Sequence, residues 1–160
     1  MKKHGFLESF FLEYPYNDWI KVIDWLLQDD KFVGWTSAEL KEFTLYIKDL
    51  NIIKNGKYEY GKRQEVNPSD YDRTKNRTKK SIVVMVKGQG ETKDLVRHIR
   101  NGIAHGRSKI CTRNGVRCLE IIDYGRFGFK GERGGQTAYL LLPVDFVKQV
   151  YQYYVTHKSI

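Results

Sequence analysis

Apolar side chains recur at three- and four-residue intervals near the start of the chain: Phe10, Phe11 and Tyr14, then Trp19, Val22, Ile23, Leu26 and Leu27. That spacing predicts helix over residues 6–29, divided by Pro15 into a short helix and a longer one capped by Asn17 or Asp18. Thr36-Ser37-Ala38-Glu39 has the form of a capping box and predicts a helix through Leu40, Phe43, Leu45, Ile47 and Leu50, ending near Asn55-Gly56. Over residues 54–80 the pattern lapses. Residues 54–63 read as a short hairpin or turn, Asn67-Pro68-Ser69-Asp70 as a loop, and Arg73 to Lys80 as a basic run with almost no apolar side chain, best taken as a solvated loop.

Ser81-Ile82-Val83-Val84-Met85-Val86 fits either a strand or a buried helix. Thr92 then caps a helix to about Ala104, which Gly106 is placed to stop. Asn114-Gly115 predicts a two-residue hairpin turn in which Arg113 faces Val116, Thr112 faces Arg117, and Cys111 faces Cys118. Counting from the turn makes the cysteine pair hydrogen-bonded, the wider of the two antiparallel types, and in a reducing cytosol free thiols are expected. A third strand is expected near Gln136–Leu142, and Pro143 and Asp145 open a last helix with Phe146, Val147, Val150, Tyr151 and Tyr154 inward. The expected fold is mainly α: one domain over residues 1–160, a helical bundle with a basic loop at about 54–80 and a small antiparallel β insertion at about 108–142 before the last helix.

Charge adds a partner class. Of 28 Lys+Arg and 19 Asp+Glu, residues 1–50 hold 6 basic and 9 acidic, residues 51–80 hold 9 and 4, and residues 81–160 hold 13 and 6. A basic excess confined to the later two-thirds fits a polyanion partner, nucleic acid first, and fits equally well a soluble protein of high isoelectric point with no such partner. No apolar run is long enough to span a bilayer and no signal-peptide pattern opens the chain, so a cytoplasmic protein without membrane contact is expected. There is no CxxC spacing and there are only four histidines, so no metal site and no cofactor are expected.

The candidate chemistry lies on one helix, Thr92 to Arg107. On a helical wheel Leu95, Val96, Ile99, Gly102 and Ile103 share one face, while Arg97, His98, Arg100, Asn101, Ala104 and His105 fill the other. Solvated faces alternate acids and bases, but this one has no acid after Asp94. Arginine suits a bidentate phosphate grip, and the imidazole pKa suits proton transfer at neutral pH. Asn101 and His105, four apart, can touch, so the amide could fix the imidazole tautomer. Arg100 and His105, five apart, diverge by about 140°, and reach one phosphate only if the helix end distorts or a second subunit contributes. Arg97, Arg107 and Lys109 are candidates for holding a nucleic-acid strand. His98 reads as an exposed surface residue, and His4 and His157 as incidental. Residues 125–135, with Arg126, Lys130 and Arg133, read either as a mobile basic loop that touches RNA or as a plain turn.

Arg100-Asn101-Gly102-Ile103-Ala104-His105 resembles the Arg-x4-6-His signature of HEPN domains, in the form with Asn directly after Arg. Leu95 to Gly106 is similar to the second signature helix of small bacterial members, and the segments around Leu119–Asp123 and Pro143–Tyr154 also resemble them. The resemblance implies an all-α bundle, usually dimeric, and often a metal-independent endoribonuclease of toxin–antitoxin or phage-defence systems. It assigns catalysis to Arg100 and His105, with Asn101 in support, through attack of a 2′-hydroxyl on the adjacent phosphate. Its partners would be RNA, a second copy of the chain, and an antitoxin or other regulator. Arg107 stands where nucleotidyltransferase-silenced toxins often carry Tyr, which argues against tyrosine modification. The alternative is a non-catalytic RNA-binding or partner-binding module on the same fold.

Overall fold

The computed structural model describes residues 2–72 and 74–159, with side chains from residue 8 to residue 157. Arg73, at the start of the basic run, and the side chain of His4 lie outside the described residues. Helices α1 (Lys2–Glu13), α2 (Tyr16–Leu27) and α3 (Ser37–Ile53) precede strands β1 (Lys57–Gly61) and β2 (Ile82–Val86). Helix α4 (Glu91–Ala104), strands β3 (Ser108–Arg113), β4 (Val116–Tyr124) and β5 (Gln136–Pro143), and helix α5 (Val144–Ser159) follow.

The mainly α, HEPN-like bundle with a small β insertion is not what the chain forms. It is a mixed α/β structure with one five-stranded sheet in the order β1-β2-β5-β4-β3, parallel between β1 and β2 and antiparallel elsewhere. Two strands escaped the sequence pattern for different reasons. β2 is five consecutive buried apolar residues, as expected of a strand covered on both faces, and such a run has no period to set it apart from helix. β1 lies inside the stretch read as a basic loop. Its inward positions are Tyr58 and Tyr60, whose rings pack on the core, while Lys57 and Glu59 point outward as an ion pair.

The five helices give the main core to one face of the sheet. Val83, Met85, Leu119, Ile121, Ala138, Leu140 and Leu142 meet Trp19, Phe43, Ile47, Leu95, Ile99, Phe146 and Val150 there. The alternate residues, Ile82, Val84, Cys118, Tyr139 and Leu141, form a second cluster on the opposite face with Val66 and Tyr71. Cys111 and Cys118 belong to that cluster as free, buried thiols paired across the hairpin. The turn has Asn114 at φ 52 and Gly115 at φ 78, the left-handed pair that an Asn-Gly turn requires. The capping box also forms, with Glu39 N–H donating to Thr36 Oγ1 at 3.1 Å and Thr36 N–H to Glu39 Oε1 at 2.8 Å. Two expected caps do not: Pro15 precedes α2 without a side-chain cap, and α4 starts from Gly90 while the Thr92 hydroxyl bonds Thr44 instead. Among the described residues no helix is long and apolar enough to cross a membrane.

Candidate functional site

Three attachments set the position of α4. At its start the β1 tyrosines reach across, Tyr58 Oη donating to Glu91 Oε2 at 2.8 Å and Tyr60 Oη to Asp94 Oδ2 at 2.6 Å. Asp94 is buried and also accepts from Gly88 N–H at 2.8 Å, Gln89 N–H at 3.0 Å and Arg97 Nη2 at 3.0 Å. Burial pushes its carboxyl up, but these hydrogen bonds outweigh burial and hold it below its ordinary value. In the middle, Gly102 packs so closely on β4 that a Cβ there would lie 2.5 Å from Ile121 Cγ2. Towards its end, β4 offers Asp123 to the helix.

Asp123 is the centre of a buried polar network. His98 Nδ1 donates to its Oδ2 at 2.7 Å, Asn101 Nδ2 to the same oxygen at 3.2 Å, and Tyr124 N–H to Oδ1 at 3.0 Å. The Arg107 guanidinium stands 4.0 Å from Oδ1. Burial raises the Asp123 carboxyl, and the bonds from His98 and Asn101, with the charge of the imidazole, bring it below its ordinary value. His98 is therefore a buried residue, not the exposed one the wheel implied, and its Nε2 has no hydrogen-bond partner among the described residues. Nor does Asn101 orient His105. Its amide serves Asp123, and its oxygen accepts from Arg100 Nη1 at 3.3 Å.

Of the six residues singled out from sequence, four divide between two depressions, and Asn101 and His105 line neither. Arg97 and Arg100 line a cleft of about 420 Å³ between α4 and the segment 28–33. Arg100 Nη2 lies 3.3 Å from Asp29 Oδ1, and the Lys31 ammonium is turned into the protein, donating to the carbonyls of Leu26 and Gln28. Burial, then the neighbouring Arg100 charge, lowers the Lys31 pKa. Arg107 and Lys109 line a second depression of about 340 Å³ at the β3–β4 edge. His105 closes α4 between these groups. Its backbone N–H bonds Asn101 O at 2.9 Å, the chain turns at Gly106 (φ 68), and Arg107 N–H returns to Gly102 O at 2.8 Å. The imidazole is exposed, and among the described residues no hydrogen bond or ion pair engages it or joins it to Arg100.

Two partners of this site were missed in the sequence, Asp29 and Asp123. Asp29 lies in a different segment with no pattern linking it to α4. Asp123 did carry a signal: Leu119, Ile121 and Asp123 alternate on one strand, so the acid shares the face that meets the helices. In comparisons with family models, curated proteins and solved structures, the chain finds no match in any of the three. The functional argument therefore proceeds from the residues and their geometry.

Proposed function

We propose that this protein cleaves RNA without a metal ion, at a site completed when two copies pair their α4 faces. The observation that carries the reading is the contrast between two histidines of one segment. His98 is committed to Asp123 inside the protein, while His105 ends a row of Arg97, Arg100 and Asn101 with its imidazole exposed and unengaged. The dozen residues that resemble the HEPN signature point to the same pair, Arg100 and His105.

The chemistry follows from those groups. One imidazole takes the proton from a ribose 2′-hydroxyl as its oxygen bonds to the adjacent phosphorus. The bond from phosphorus to the 5′-oxygen breaks, and a second imidazole returns a proton to that oxygen. Arg100 offsets the charge that builds on the equatorial phosphate oxygens. The products are a 2′,3′-cyclic phosphate and a 5′-hydroxyl. One chain supplies one histidine to this step, and its Arg100 is paired with Asp29, so pairing of two copies supplies the second imidazole and brings a guanidinium opposite it.

The test is RNA incubated with the protein in excess EDTA, beside Arg100→Ala and His105→Ala. The expected result is cyclic-phosphate ends from the parent and a loss of about 100-fold or more in each variant. Binding without cleavage by the parent would overturn the enzymatic reading and leave an RNA-binding protein.

A further inference from the structure

The depression at the β3–β4 edge has no part in the cleavage step, yet it adjoins His105 through Gly106. Its walls are Arg107, Lys109, Glu120, Ile122 and Tyr124. Tyr124 is 45 % exposed, with the Arg107 guanidinium 4.8 Å from its ring centroid. Glu120 is only 5 % exposed, accepts from Tyr139 Oη at 2.6 Å, and stands 3.3 Å from the Lys109 ammonium. A half-exposed aromatic residue, a carboxylate and an ammonium thus share one small space.

The same alternation of ring and cation continues along the chain. Phe127 is 38 % exposed, with the Arg63 guanidinium 5.1 Å and that of Arg126 5.5 Å from its centroid, and Lys130 Nζ is 5.2 Å from the Phe129 ring. The segment that carries them is anchored rather than loose. Gly125 N–H bonds Gly135 O at 3.0 Å, Phe127 bridges Arg133, and Lys130 N–H bonds Arg63 O at 2.8 Å. Gly128 lies so close to Gly135 that a Cβ would come 2.8 Å from its carbonyl carbon.

Rings at this exposure, each beside a guanidinium, suit one ligand chemistry well. Unpaired bases stack on aromatic faces and on guanidinium planes whatever their identity, and the intervening phosphates take the cationic edges. A duplex keeps its base faces to itself, and an acidic peptide would use the cations while leaving the rings uncovered. We propose that Tyr124 stacks an unpaired base of an RNA strand in the depression beside His105, and that Arg107, Arg126 and Phe127 hold the strand as it continues. The proposal rests on the RNA-cleaving reading and makes its substrate single-stranded.

The experiment uses the His105→Ala protein, so that the strand stays intact, and a short fluorescent RNA without secondary structure, alone or annealed to its complement. Tyr124→Ala in that background should bind the unpaired strand about 10- to 100-fold more weakly. Tyr124→Phe, which keeps the ring, should bind as its parent does. A 2-aminopurine base in the strand should be quenched by the parent and the Phe variant but not by the Ala variant. Preference for the duplex, or binding by the Ala variant within about twofold of its parent, would overturn the proposal. Binding that depends on Tyr124, with no cleavage by the unmodified chain, would keep this site and remove the enzymatic reading. Cleavage of unpaired RNA at one rate by the unmodified chain and by Tyr124→Ala would remove this site alone.

Discussion

Replacing Asp123 by alanine removes the acceptor for three donors at once: His98 Nδ1, Asn101 Nδ2 and Tyr124 N–H. The Asp123 side chain is 2 % exposed and that of His98 1 %, so water cannot take the vacated place without disturbing the packing between α4 and β4. Breaking a buried pair from one side costs about 3–5 kcal/mol. For a chain of this size that is a fall of roughly 6–20 °C in Tm. Asp123→Asn keeps the volume and one acceptor but opposes one donor with another, and should cost less than alanine. The pH dependence has a definite sign. Because the folded protein holds the Asp123 carboxyl below its ordinary value of 3.8, its contribution is full above that pH and is lost as pH falls through the lower folded value. The stability gap between the unmodified chain and Asp123→Asn should therefore narrow in strong acid. Urea titrations across that range measure both quantities. A loss below about 1 kcal/mol for Asp123→Ala, the size of a solvated ion pair, would refute the claim that this carboxylate organises the site from a buried position.

Three other perturbations test the scaffold around the site. Gly102→Ala should cost about 1–3 kcal/mol through its clash with Ile121 Cγ2, and Ile121→Ala in the same chain should recover part of that, so strictly additive losses would count against the close contact. Asp29→Ala frees the Arg100 guanidinium. Since the Asp29 side chain is 88 % exposed, stability should change by no more than about 0.5 kcal/mol while RNA affinity rises roughly two- to fivefold, and unchanged affinity would sink that account. Burial, then the neighbouring Cys111, pushes the Cys118 thiol up to about 11, and both thiols are buried; a thiol reagent at neutral pH should therefore label neither cysteine until the protein unfolds.

The helices were legible because their signals are local. The stripe Trp19, Val22, Ile23, Leu26, the box from Thr36 to Glu39, and the glycine stop at Gly106 each depend on residues within one or two turns. The Cys111–Cys118 register was readable for the same reason, since a two-residue turn fixes every pair that follows it. Even there the local signal had limits. Leu27 and Leu45 continue the apolar pattern yet are exposed, while Trp25, off the expected stripe, is buried against Tyr151 and Tyr154.

Which residue types can perform chemistry was likewise written in α4, where the cations and imidazoles occupy one side of a helix. Their fates were not. His98 and His105 look alike on a wheel, and only the arrival of Asp123 from a strand 25 residues further on buries one and leaves the other exposed. Arg100 meets Asp29, which comes beside it from a distant segment. The sheet order, with β1 against β2 and β2 against β5, likewise joins segments whose separation along the chain no periodicity spans. Local periodicity follows from backbone geometry over a few residues. Burial and pairing follow from which surfaces the whole chain can bring together at once, and that belongs to the folded molecule.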